Sequence, residues 1–358
     1  MIDLPMTMTP APGAKSLRLH IICERDVGLF SLIQQVISNI AWALAEDRIP
    51  IAFFQGRTCY WTPDGYQNKD TVWEYYFEPI VPGHAVSSIP QNIRATIDRK
   101  WPSAYDIGYY ADEDTFVSAH FGDHKLLEGK SLFIPWRFED PDPALRKRAS
   151  EIIGSYIHPR SYLQEKADRF YRSQMDGRYV IGVHIRGTDA VSSEEARLHR
   201  RGSLRLWRYA WHVERMLHQH PDAAILVATD AESSLRFMKL AFGTRVVAYD
   251  SLRHKSGKAA ATGPTGWLMP AYIAGDRYQA AKNGEEAVIE YLLLARCDCL
   301  IHNGASLART VLLKVPDLPH INTHTQPPLF LRWRMKLLSA VRRRLHWLAG
   351  SNSVLRRN

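Results

Sequence analysis

The residues best suited to chemistry lie at the end of one apolar run. Val180, Ile181, Val183 and Ile185 read as a buried strand, and His184 and Arg186 sit two residues apart at its end, on one face. Burying a histidine and an arginine there is costly unless an anion or a hydrogen-bonding ligand is waiting for them. Arg186 offers a planar fork of donors that fits a phosphate bidentately. Gly187, Thr188 and Asp189 break the run as a loop, and Glu194 and Glu195 follow within one turn of what reads as a helix start.

Three further strand ends carry polar residues. Ala224 to Ala228 reads as a strand ending at Thr229-Asp230, Arg245 to Tyr249 as one ending at Asp250, and Cys299 to His302 as one leading into Asn303-Gly304-Ala305-Ser306. Ser306 stands where a helix to Lys314 begins, so its hydroxyl and the free N–H groups after it are placed for a second phosphate. Asp250 can accept from the N1–H and exocyclic amine of guanine. Asp230 also fits a helix cap in a strand–helix loop, and Asp250 a turn acid. Four such strand ends in succession point to a nucleotide site.

The elements that must hold these residues alternate regularly. A helix from about Leu204 to His218, a helix capped by Ser233 or Ser234 and running to Leu240, a loop from 251 to about 283 and a helix from Glu285 to Arg296 separate the strands. That order predicts a doubly wound parallel sheet, with ligands beyond its carboxyl edge. Upstream, Leu17 to Cys23 and Ile49 to Phe54 read as strands around a helix with apolar residues from Leu29 to Ala43 at spacings of three and four. A second α/β unit is therefore expected before helices at 144–157 and 162–173. The expected organisation is 1–160, 161–325 and a tail, 326–358.

Between residues 57 and 135 lies a group of aromatics: Tyr60, Trp61, Tyr66, Trp73, Tyr75, Tyr76 and Phe77. They suit either a sugar-stacking cleft or an aromatic core. Four cysteines, Cys23, Cys59, Cys297 and Cys299, lack zinc spacing and read as structural thiols.

The formal net charge of +9 is concentrated in the tail. Leu331 to Asn358 holds eight basic residues and no acid, so the rest of the chain carries about +1. Nucleic-acid binding loses its support on that count. Within the tail, Phe330, Trp333, Leu337, Val341, Leu345 and Leu348 recur at three and four among basic residues. This is a basic amphipathic pattern over residues 329–349, suited to an anionic membrane surface or to packing on its own domain. No run approaches the roughly 18 apolar residues of a membrane span, and the first residues lack the pattern of a signal peptide. The expected location is cytoplasmic, with peripheral contact at the inner face of the membrane.

The segment Val183-His184-Ile185-Arg186-Gly187-Thr188-Asp189 resembles the first motif of the α-1,6-/O-fucosyltransferase superfamily, His-x-Arg followed shortly by an acid. Within it the pattern is most like the α-1,6-fucosyltransferases, including the rhizobial nodulation type. Ile225 to Asp230 resembles the second motif, and Tyr291 to Ser306 the third. Together they span residues 179 to 315. The resemblance implies two Rossmann-like domains in a GT-B-like arrangement, GDP-fucose as donor substrate with no other cofactor, and inversion at the anomeric carbon without a metal. It implies Arg186 as the essential phosphate-binding residue, His184 and Asp250 at the guanosine, Ser306 at the pyrophosphate and Glu194 as general base, with Asp189 and Glu195 as other carboxylates in reach. The chain departs from the vertebrate type at Gly187, where that type has a second arginine, and at Ala190, where it has a lysine. The acceptor is expected to be an oligosaccharide or a lipid-linked glycan. Another nucleotide sugar as donor, or a nucleotide- or glycan-binding protein without catalysis, are the competing readings.

Overall fold

The computed structural model describes residues 17–122, 127–134, 140–187, 206–255, 260–262, 268–270, 273 and 275–323. Strand β1 (Leu19–Cys23) is buried at every position. It leads into helix α1 (Leu29–Ala45), whose apolar residues at three-and-four spacing are buried along nearly its whole length, and then into β2 (Ile49–Phe53). Helices α2 (Val72–Tyr76) and α3 (Gln91–Arg99) precede two strands absent from the sequence reading, β3 (Tyr109–Tyr110) and β4 (Thr115–Ser118). The sheet order is β2-β1-β4-β3, with β1 parallel to both neighbours and only the short edge strand β3 antiparallel.

Helices α4 (Pro143–Tyr156) and α5 (Ser161–Gln174) follow, within a residue of the expected bounds. Asp142 caps α4 by accepting from Leu145 N, with Pro143 at the first helical position. The second sheet then takes β5 (Val180–Ile185), β6 (Ala224–Thr229) and β7 (Val246–Val247), separated by α6 (Leu206–Gln219) and α7 (Glu232–Phe242). A two-stranded antiparallel ribbon, β8 (Ala260–Thr262) and β9 (Leu268–Pro270), precedes α8 (Arg277–Leu294), β10 (Cys299–His302), α9 (Ser306–Lys314) and β11 (His320–Asn322). The order is β11-β10-β5-β6-β7, all parallel. From β5 the chain winds outward to β7 on one side, then returns to β10 and β11 on the other. The order therefore reverses between β5 and β10, the kind of position beyond whose carboxyl ends open α/β sheets bind ligands.

Alternation along β5 decides where its polar end points. Ile181, Val183 and Ile185 join the apolar cluster under α6 and α7. Gly182 faces the other way, where a Cβ would lie 2.9 Å from Cys297 Sγ. His184 and Arg186 share that second face by period. A larger cluster joins α1 (Ile33, Val36, Ile40) to α8 (Val288, Ile289, Leu293) and α9 (Val311, Leu312), so the helices between the two sheets share one core.

Several expectations are settled or corrected. Tyr60, Tyr66, Trp73, Tyr75, Tyr76 and Phe77 are buried in that core, which settles the aromatic segment as packing, with Trp61 half-buried beside it. Helix α7 starts from Ala231 without a side-chain cap, and Ser234 is buried in its first turn. The strand expected over Arg245–Tyr249 shrinks to two residues, because Gly243–Arg245 form a tight 3-10 turn and Tyr249 O is taken by Arg253 Nη2 at 2.5 Å. Helix α8 begins eight residues earlier than expected, capped by Asp276 on Gln279 N. Its small residues suit close packing: the Tyr76 hydroxyl donates to Ala281 O at 2.6 Å and lies where a Gly284 Cβ would stand. All four cysteines are buried free thiols.

Candidate functional site

The tip of β5 is held by β6. Arg186 Nη1 lies 3.0 Å from Asp230 Oδ2, and Gly187 N donates to Asp230 Oδ1 at 2.8 Å. Asp230 therefore does not cap α7; both its oxygens serve the loop after β5. Thr229 Oγ1 donates to Ile185 O at 2.8 Å and ties the same two strand ends together. The Arg186 side chain keeps about a third of its surface exposed, at 30%.

His184 lies behind Arg186 and is almost fully buried. Burial, then the charges of Arg186 and His302, push its imidazole down to about 3. It is neutral at physiological pH, and its Nδ1 has no hydrogen-bond partner.

At the tip of β10, Gly304 adopts a left-handed conformation (φ 75°), which turns the chain into α9. Ala305 is the N-cap and has no side chain that can cap the first-turn N–H groups of α9. Asn303 Oδ1 is buried without a hydrogen-bond partner. Ser306 is reached from the first unit: its Oγ lies 3.0 Å from Ser31 Oγ on α1, and Gln34 Nε2 donates to Ser306 O and to Thr310 Oγ1. The β10–α9 turn thus lies where the two units meet.

Asp250 is exposed beyond β7. The loop after it is pinned by α8: Leu252 N donates to Glu286 Oε2 at 2.8 Å and Ser251 Oγ to Glu290 Oε1 at 2.7 Å. Burial raises the Glu290 carboxyl to about 7, against the opposing effects of Arg253 and Ser251. His254 N donates to Asp230 O at 2.8 Å, so the Asp250 loop is joined to the Asp230 loop. Of the residues singled out by sequence, the structure pairs Arg186 and Asp230 at the ends of β5 and β6 and sets Asn303 and Ser306 at the end of the adjacent strand β10. Asp189, Glu194 and Glu195, and the tail from 326 to 358, lie outside the described residues.

Two groups escaped the sequence reading. Glu24, at the carboxyl end of β1, is 1% exposed. Its Oε1 accepts from Gln55 N and Arg57 N, its Oε2 has no partner, and burial raises its carboxyl to about 7. The second group is Asp140, His302 and His320, whose ligand atoms all lie within 4.8 Å of one another. His302 and His320 close β10 and open β11, so a polar pair at neighbouring strand ends was the available signal; nothing local tied Asp140 to them.

No protein-family model matches the sequence, and no curated protein matches it. Solved structures do. NodZ α-1,6-fucosyltransferase soaked with GDP-fucose superposes with a TM-score of 0.52 at 18% identity, over 86% of this chain and 95% of that one. The chain shares the fold of NodZ. NodZ co-crystallised with GDP, and fucosyltransferase NodZ from Bradyrhizobium, each give a TM-score of 0.50 at 18% identity over 86% of this chain. The NodZ likeness extends across both sheets, well beyond the segment from 179 to 315 that carries the motifs. The expected α/β architecture with two Rossmann-like units is therefore observed.

Proposed function

We propose that this chain is a fucosyltransferase that moves fucose from GDP-fucose to a glycan acceptor, with inversion and without a metal. The observation that carries the reading is the position of Arg186. It ends the strand beside the reversal of the sheet order, with the N-terminus of α9 one strand away, in a fold shared with NodZ, a protein whose crystal was soaked with GDP-fucose.

The division of labour follows from charge. Arg186 and the N–H groups of α9 take the diphosphate, with the Ser306 hydroxyl beside them. Asp250, exposed at the end of the outer strand, takes the guanine N1–H and amine. His184 is neutral and sits behind Arg186, so it shapes the pocket rather than adding charge. Asn303 Oδ1 offers an acceptor to a ligand hydroxyl.

In the reaction an acceptor hydroxyl oxygen attacks the anomeric carbon of fucose as the bond to the β-phosphate oxygen breaks. The electron pair leaves on GDP, where Arg186 and the α9 dipole stabilise it. The hydroxyl proton passes to a carboxylate, for which Glu194 and Asp189 remain the proposed groups. An oxocarbenium-like transition state asks little of that base. Preorganised guanidinium and backbone dipoles supply the charge neutralisation that a metal gives in other transferases.

GDP, set against UDP in a thermal-unfolding experiment on the full chain, tests the donor. GDP is expected to raise Tm and UDP to leave it unchanged. Stabilisation by UDP alone would replace the donor.

A further inference from the structure

The Asp140, His302 and His320 group looks at first like a cation site, and its hydrogen bonds decide otherwise. Gly304 N donates to His302 Nδ1 at 3.0 Å. That nitrogen spends its lone pair on the backbone, so the proton of the neutral ring sits on Nε2. A metal on Nε2 would leave the ring with no proton at all. At His320, Arg146 Nη2 stands 3.1 Å from Nε2, so a guanidinium already fills the place of a cation.

What remains is a directional chain of contacts. Asn322 Nδ2 donates to Asp140 Oδ1 at 3.1 Å. The same oxygen faces His302 Nε2 at 3.6 Å, a charge contact just outside hydrogen-bond distance, and Oδ2 faces His320 Nε2 at 3.5 Å. Burial alone would raise the Asp140 carboxyl, but His320, His302 and Asn322 outweigh it and hold it below the usual carboxylate range. Asp140 is thus an anion aimed at the protonated nitrogen of a fully buried imidazole. The far side of that imidazole grips the one backbone N–H in the left-handed turn between β10 and α9. The same turn carries Asn303, whose buried Oδ1 lacks a partner.

We propose that Asp140 and His302 are positioning residues for the donor diphosphate. Asp140, from the segment before α4, places a negative charge opposite His302 Nε2 and so orients the ring. His302 then holds Gly304 N–H and sets the angle at which α9 presents its first-turn N–H groups. The inference rests on the donor reading above and adds a residue from outside the nucleotide-binding motifs.

The test compares GDP with GMP, which lacks the second phosphate, by calorimetry on the full-length chain. Asp140→Asn removes the charge at nearly constant shape. It is expected to weaken GDP about tenfold, through loss of the charge that orients His302, and to leave GMP within about a factor of two. A loss of packing would weaken both nucleotides alike. Asn322→Ala, which removes the amide donating to Asp140, is expected to give the same GDP-selective loss at smaller size, and it decides the matter if Asp140→Asn does not fold. GDP affinity that is unchanged or tighter, or equal losses for GDP and GMP, would overturn the proposal. A wild-type chain that binds neither nucleotide would instead remove the donor reading, and this inference with it.

Discussion

Arg186 Nη1 stands 3.0 Å from Asp230 Oδ2, and the next backbone N–H, that of Gly187, donates to Oδ1 of the same carboxylate at 2.8 Å. One acid therefore fixes both the guanidinium and the backbone of the loop that follows it. This bears on the departure at Gly187, where the vertebrate type has a second arginine. Here the residue after Arg186 contributes its N–H to the clamp, and a single guanidinium is held in place by the neighbouring strand.

Asp230→Asn tests that clamp. The amide oxygen still accepts from Gly187 N, but the charge opposite Arg186 is gone. Transfer is expected to fall about tenfold through loss of orientation, with little change in Tm. Steady-state kinetics with GDP-fucose measures it, and an unchanged rate would mean that Arg186 needs no partner.

Glu24 gives a pH prediction. Its carboxyl is raised to about 7, so between about pH 4.5 and 7 the folded chain holds a proton that the unfolded chain has lost. That contribution is fully present below the unfolded value and disappears as pH rises through 7. The buried His184 and His20, each lowered to about 3, act in the opposite sense, since their stability contribution is lost as pH falls. The comparison with Glu24→Gln separates the two. The variant is expected to gain on wild type between pH 5 and 8, by up to about 3 kcal/mol. Denaturant unfolding at several pH values reads it; parallel curves would contradict the buried, unpartnered Oε2.

Gly284→Ala probes the contact between the units. A Cβ there would sit 2.3 Å from the Tyr76 hydroxyl, which is bonded to Ala281 O in the same helix. Overpacking at this point is expected to cost about 1–3 kcal/mol. Gly154, whose added Cβ would meet nothing within 4 Å, is the control, and its alanine variant is expected to hold or raise Tm.

The basic tail is tested by flotation with anionic liposomes. Among the described residues no helix is long and apolar enough to cross a membrane. Removing residues 329–358 is expected to abolish flotation at low salt. Equal flotation with and without the tail would remove the proposed membrane contact.

The C-terminal half was readable because its signals are local and repeated. β5, β6 and β10 are continuous apolar runs that end in polar residues, and α9 begins within a residue of Ser306. α8 was cut short because Ala280, Ala281 and Gly284 have the composition of a loop until Tyr76 is seen against them. β4 was missed because its two apolar residues, Phe116 and Val117, stand between Thr115 and Ser118, and β11 because three residues with one apolar position carry too little pattern to register. Neither Glu24 nor Asp140 was legible in its role. One depends on an unpartnered oxygen, the other on residues 162 and 180 positions away in the chain. Such features belong to tertiary structure alone.

The most direct measurement is fucose transfer from GDP-fucose by wild type and by Arg186→Ala, across oligosaccharide and lipid-linked acceptors, with the anomeric configuration of the product read by NMR. Wild type is expected to release GDP and form an inverted fucoside on one acceptor class. Arg186→Ala is expected to stay folded and lose at least about a hundredfold in rate, the scale of one removed charge-stabilising group. A wild type that transfers nothing from GDP-fucose, or an Arg186→Ala variant close to wild type in rate, would contradict the account.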